Sequence, residues 1–207
     1  MSEGEDRELV ERYARGESRA FDTIVQLYEQ RVYGIALRMT GNIEDARDAM
    51  QEVFISAFRA LRNFRGDAQL STWMHRVAVN ASLDVLRKRK RHVTHPLEEA
   101  GDRPSDDVEP DEAAARAARA VEVQRALQGV REEYRAVLVL HDLQDLDYAQ
   151  TADALEIPVG TVKSRLHRAR MEMAVLLGHI REQDLINDED PVDPEPSDGP
   201  EPLKEGR

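Results

Sequence analysis

The 207-residue chain has no cysteine. That removes disulfide cross-links, thiolate zinc sites and thiol nucleophiles, and it suits a reducing cytosol. Long apolar stretches are missing as well: no uninterrupted run is longer than Ala136 to Leu140, whereas a membrane span needs about 20 residues. The acidic N-terminal stretch lacks the basic-then-apolar order of a secretion signal. A soluble, cytoplasmic chain without direct membrane insertion is expected. There is no glycine-rich phosphate loop, and the six histidines are scattered. His92 and His95 lie three apart with no third ligand nearby, so no metal, cofactor or catalytic residue is expected and the chain does not read as an enzyme.

Basic residues are outnumbered, 29 Lys plus Arg against 41 Asp plus Glu, giving a formal net charge of −12 and a pI near 5.0. Taken whole, that balance argues against a nucleic-acid partner. The distribution of charge along the chain points the other way. Residues 1–92 carry 16 basic and 14 acidic side chains, and residues 114–181 carry ten and nine. Residues 93–113 carry one and eight, and residues 182–207 two and ten. The acid is therefore concentrated in two short proline-bearing stretches, which cannot bury enough apolar surface to offset the entropy of ordering. A flexible linker over 93–113 and a disordered tail over 182–207 are expected between and after two near-neutral modules.

Both modules read as all-α. In the first, Leu9, Val10 and Tyr13, then Phe21, Ile24, Val25, Tyr28, Val32, Ile35, Ala36 and Met39, recur at steps of three and four, the helical period. Gly41 and Asn42 break the pattern, and Asn42 can cap a long helix over about 43 to 62. Ser71 can cap a third helix ending in the basic run Arg87 to Arg91. Eight of the ten aromatics fall between Tyr13 and Trp73. In the second module a short helix, Tyr148 to Leu155, a turn through Ile157, Pro158 and Gly160, and a last helix to about Leu177 give helix-turn-helix grammar. Val162, Leu166, Ala169 and Met173 form the buried stripe of that last helix, which leaves Ser164, His167, Arg168 and Met171 on the opposite face and Lys163, Arg165 and Arg170 on its flanks. Such a face suits the major groove, where an arginine can take both guanine acceptors; a solvated cationic face is the alternative.

Together these residues resemble a known family. Asp45, Ala46, Asp48, Gln51, Glu52 and Phe54, the stretch Phe64 to Asp67, then Thr72, Trp73, Arg76 and Asn80, and in the second module Tyr148, Ala152, Ile157 through Leu166, Arg168 and Ala169, are similar to the motifs of extracytoplasmic-function sigma factors of the sigma-70 family, most of all the actinobacterial sigma M subgroup. The resemblance implies two small helical domains: sigma region 2 over 1–92 and sigma region 4 over 114–181, with the helix-turn-helix at about 148–170. It implies a transcription initiation subunit that binds core RNA polymerase, recognises the minus-10 and minus-35 promoter elements and is held by an anti-sigma factor.

Residue by residue, the resemblance implies that Asp45, Asp48, Gln51, Glu52 and Phe54 meet the clamp coiled coil of the largest polymerase subunit. Asn63, Phe64, Arg65, Asp67, Gln69, Trp73, Arg76 and Asn80 would serve the minus-10 element, where a base is turned out of the stack and its cost returned by stacking and edge hydrogen bonds. Gln150, Thr151, Thr161, Lys163, Ser164, Arg165, His167 and Arg168 would serve the minus-35 element. For Trp73, packing against the domain core is the competing role. A stand-alone helix-turn-helix regulator would explain residues 148–177 but leave Asp45 to Phe54 and the Phe64 to Trp73 loop without a purpose.

Overall fold

Helix α1 (Glu3–Ala14) leads into α2 (Ser18–Thr40), α3 (Ile43–Ala60), a 3₁₀ turn (Leu61–Asn63) and α4 (Leu70–His92). A second group follows: α5 (Glu112–Gly129), α6 (Glu132–Asp142), α7 (Tyr148–Leu155) and α8 (Val159–Asn187). This computed structural model describes residues 3–64, 69–92 and 112–187. The expected linker, apart from its last two residues, and the part of the expected tail beyond Asn187 lie outside the described residues. Among the described residues there is no strand.

Of the stripe read from α2, Ile24, Tyr28, Val32, Ile35, Ala36 and Met39 are buried, Phe21 and Val25 are half-buried, and Ala20 joins the buried face. It closes a core with Val53, Ala57, Leu61, Leu70, Met74 and Ala78 from the following elements. The α2 helix stops at Gly41, whose φ of 72° is left-handed and whose N–H donates to Leu37 O, a conformation that costs glycine little. Asn42 then caps α3 as expected, its Oδ1 accepting from Glu44 N at 2.8 Å and Asp45 N at 3.0 Å. Ser71 does not cap α4. The helix already begins at Leu70, and Trp73 N donates to Gln69 O, so Gln69 occupies the cap position and Ser71 lies in the first turn.

His75 sits in this core, 5% exposed, with neither ring nitrogen hydrogen-bonded. Burial, helped by Arg31, lowers its pKa from 6.5 to about 4. The unfolded chain therefore takes up the proton first, so the stability held above pH 6.5 is lost as the pH falls toward 4. His75→Leu should remove that slope. The wild-type chain is expected to lose about 2–3 kcal/mol more than the variant between pH 7 and pH 4.5, at 1.36 kcal/mol per pKa unit, read by thermal unfolding at both pH values.

The second group builds its own core from Leu127, Val130, Tyr134, Val137, Leu138, Ala152, Val162, Leu166 and Ala169. Helix α7 starts with a capping box in which Gln150 N donates to Asp147 Oδ1 and Asp147 N to Gln150 Oε1. The turn before α8 is made by Glu156 at φ 54°. Gly160 has no positive φ and lies within the first turn of α8. Helix α8 runs past the expected Leu177 to Asn187.

The two groups are packed against each other. Ala136, Val139 and Leu140 of α6, with Leu146 and Ala154, join the first core, while Tyr134, Val137 and Leu138 serve the second. Residues 134–140 are consequently buried all round, as a helix apolar on every face must be. Three successive carbonyls at the end of α2 are met by side chains of the other group: Gln124 Nε2 donates to Leu37 O and Gln128 Nε2 to Arg38 O, both at 3.0 Å, and Arg135 Nη1 donates to Met39 O. Terminal helix carbonyls have no partner within their own helix, so the end of α2 is a docking point for the second module.

Candidate nucleic-acid and polymerase interfaces

The polar side of α3 offers Asp48, Gln51 and Glu52, all exposed. Two other residues expected on this surface are committed elsewhere. Asp45 Oδ2 accepts from Arg89 Nη1 at 3.1 Å, with only 22% of its side chain exposed. Phe54 is half-buried and packs on the core. Glu44 and Asp45 also stand in the first turn of α3, where a carboxylate is favoured by the helix dipole.

Of the residues expected at the minus-10 element, Arg65 and Asp67 lie outside the described residues. Asn63 and Gln69 are exposed on either side of them. Phe64 and Trp73 meet edge to face, ring centroids 5.9 Å apart, and both pack against the core; Trp73 thus takes the packing role. Arg76 and Asn80 are one turn apart on α4. Asn80 is exposed, whereas Arg76 Nη1 donates to Glu156 Oε1 at 2.6 Å. The structure therefore joins a residue of the minus-10 set to the turn that carries the helix-turn-helix. In the basic run ending α4, Arg87 pairs with Asp84 at 2.9 Å and Lys90 with Glu132 at 2.6 Å.

On α8 Val162, Leu166 and Ala169 of the expected stripe are buried, Met173 is half-buried against the same core, and the expected polar face is outward: Lys163, Ser164, His167 and Arg168 are exposed, while Thr161 and Arg165 are half-buried. Thr161 O accepts from Ser164 Oγ at 3.0 Å. Lys163 Nζ lies over the Tyr148 ring, 5.5 Å from its centroid. Gln150 is half-buried and spends its side-chain oxygen on the α7 cap. Thr151 is a correction: it is 0% exposed, enclosed by the packing of α7, so its hydroxyl cannot reach a phosphate in this arrangement.

Several residues that shape this face were not expected from sequence. Arg168 Nη1 donates to the Tyr134 hydroxyl at 3.0 Å, and Arg170 lays two N–H groups on Asp142, at 2.9 and 2.6 Å. Arg131 stacks on the Tyr134 ring with 4.0 Å to its centroid and donates Nε to Glu172 Oε1 at 2.9 Å. The spacing of Arg168 and Glu172, one turn apart, was the only sequence signal of this cluster. Among the described residues no group of three or more His, Asp or Glu is assembled to hold a metal ion. No helix among them is long and apolar enough to cross a membrane.

Both helical groups match known protein families. Residues 24–92 match the family described as Sigma-70 region 2, and residues 120–173 match Sigma-70, region 4. The ECF RNA polymerase sigma factor SigM of Mycobacterium tuberculosis is 40% identical over 179 residues, covering 86% of this chain and 87% of that protein. The RNA polymerase sigma-H factor of Pseudomonas aeruginosa is 37% identical over 178 residues, 82% of this chain and 92% of that protein. Among solved structures, CnrH in complex with the cytosolic domain of CnrY shares the fold at a TM-score of 0.63 and 24% identity, over 84% of this chain and 98% of that one. The sigma factor RpoE of Bartonella quintana, in complex with the anti-sigma factor NepR, aligns at a TM-score of 0.61 and 22% identity, over 76% and 96%.

Proposed function

The chain belongs to the extracytoplasmic-function sigma factors of the sigma-70 family, and from that premise we propose how its surfaces divide the work of starting transcription. Asp48, Gln51 and Glu52 meet the clamp coiled coil of core RNA polymerase, Asn63, Gln69, Arg76 and Asn80 serve the minus-10 element, and the outward face of α8 reads the minus-35 element in the major groove. The observation that carries this reading is the presence on one chain of an exposed acidic helix face and a helix-turn-helix whose basic face is turned outward. A stand-alone regulator has no use for the first. No covalent chemistry is asked of the chain itself. Similarity to SigM supports membership of the M subgroup, and an anti-sigma factor is the expected regulator inside the cell.

This reading requires the modules to part. Elements centred at minus 10 and minus 35 are about 25 base pairs apart, or about 85 Å of duplex at 3.4 Å per step. In the packed arrangement Arg76 touches Glu156, just ahead of α8, so the two reading surfaces cannot reach both elements at once. On the promoter, the contacts at the end of α2 give way.

Purified chain and core polymerase mixed without DNA should elute from a sizing column as one complex. A chain that binds promoter DNA but never elutes with core polymerase would contradict the proposal.

A further inference from the structure

The α8 helix is tied along both flanks, but the two ties differ chemically. On one flank Arg170 gives two N–H groups to Asp142, Nε to Oδ2 at 2.9 Å and Nη2 to Oδ1 at 2.6 Å. Its charge is matched by a carboxylate, and the pair further favours the charged guanidinium. On the other flank Arg168 gives only Nη1, and to a neutral acceptor, the Tyr134 hydroxyl at 3.0 Å. A guanidinium carries five N–H donors. Arg168 therefore keeps its charge and most of its donors for a base edge or a phosphate, while its direction is set.

Tyr134 can set that direction because it is itself fixed. It is 3% exposed and belongs to the second core. The Arg131 guanidinium covers its ring with 4.0 Å to the centroid, and Glu172 anchors Arg131 at both its Nε, 2.9 Å, and its backbone N–H, 3.2 Å. Glu172 lies one turn beyond Arg168 on α8, so the chain of contacts starts and ends on the helix it orients. Between the two flanks Ser164, His167 and Met171 project outward.

We propose that Tyr134 is a positioning residue for minus-35 reading: its hydroxyl presets Arg168 before DNA arrives. The proposal rests on the reading that α8 enters the major groove. Ordering a long side chain on binding costs affinity, and a side chain already held in its bound direction avoids most of that cost. The benefit corresponds to about three- to tenfold in affinity, and it is specific to contacts made through Arg168.

The test uses full-length chain assembled with core polymerase, and duplexes selected from a random pool by the wild-type holoenzyme. Binding is measured for wild type, Tyr134→Phe, Arg168→Ala and the double variant, against the selected minus-35 sequence and against every single base-pair change in it. Tyr134→Phe keeps the ring, its burial and its stacking on Arg131. It is expected to weaken binding about three- to tenfold, to relax preference at the same positions as Arg168→Ala, and to add nothing when Arg168 is already alanine. Unfolding temperatures should stay within about 2 °C of wild type, because only a hydroxyl is lost. Wild-type affinity for Tyr134→Phe beside a weakened Arg168→Ala would overturn the positioning role and leave the reading of α8 standing. Additive losses in the double variant would also overturn it, because Tyr134 would then act independently of Arg168. Full affinity for Arg168→Ala would overturn the proposal through its premise that Arg168 touches DNA.

Discussion

Replacing Arg135 with methionine is expected to lower the unfolding temperature of the chain by about 6–12 °C. Arg135 is 5% exposed, and its guanidinium bonds run to oxygens of carbonyl and amide groups: Nη1 to Met39 O and to Gln128 Oε1 at 2.7 Å, Nη2 to Gln128 O at 2.7 Å and Val130 O at 2.9 Å. Met39 and Gln128 stand in the last turns of α2 and α5. Two helix C-termini, each the negative end of a dipole, thus converge on one cation in place of a counter-ion. Burial lowers the pKa of Arg135 from its usual value, with Glu132 working against that shift.

Methionine keeps much of the apolar stem but leaves the converging carbonyls buried without donors. At about 1–3 kcal/mol for each group left unsatisfied, and with partial relaxation of the seam, the loss comes to about 3 kcal/mol, and each kcal/mol moves the unfolding temperature by about 2–4 °C in a chain of this size. Lysine at the same position can carry the charge but cannot span both helix ends, so Arg135→Lys should fall between the two. Thermal unfolding followed by circular dichroism reads all three proteins. An unchanged midpoint for Arg135→Met would mean that the seam does not depend on this cation.

The double charge reversal Asp48→Arg with Glu52→Arg is expected to weaken binding to core polymerase by about 100-fold. Both side chains are exposed on α3, one turn apart, and neither belongs to the core. On the proposed reading these exposed carboxylates meet basic groups of core polymerase, so two added cations replace attraction with repulsion, and like charges across an interface cost several kcal/mol. A loss of about 3 kcal/mol is about 100-fold in affinity. Stability should hardly change, since surface substitutions usually stay within about 0.5 kcal/mol. Asp45 is the wrong residue for this experiment: it pairs with Arg89, so its replacement would disturb the packing of α3 on α4. A binding titration with core polymerase, beside an unfolding curve for each protein, separates the two effects.

The helical modules are legible because three- and four-residue steps in apolar residues leave little choice of structure, and most of the stripes read on α2 and α8 are buried, with Phe21, Val25 and Met173 half-buried at their edges. The cap at Asn42 is legible for the same local reason. What the sequence hides is the contact between modules. The Ala136 to Leu140 run is too short to span a membrane, yet an apolar run with no polar face also says that the helix is enclosed on every side. Here one side faces the first core and the other the second. Arg135 beside that run looks like an ordinary surface cation, because nothing local announces that the end of α2 will lie against it. Thr151 errs in the opposite sense: its place in the helix-turn-helix suggests a phosphate contact, while packing of α7 buries it completely. The ties on Arg168 and Arg170 come from α6, more than 25 residues away in the chain, beyond the reach of any local pattern.

The most direct test is transcription from defined parts. Core RNA polymerase, this chain and nucleoside triphosphates are combined on DNA fragments selected by the holoenzyme, with no other sigma factor present, and the 5′ ends of the RNA are mapped. RNA with one discrete start per fragment is predicted, lost with Asp48→Arg plus Glu52→Arg and weakened with Arg168→Ala. DNA binding by the chain without start-specific RNA, together with a requirement for another sigma factor, would contradict the account.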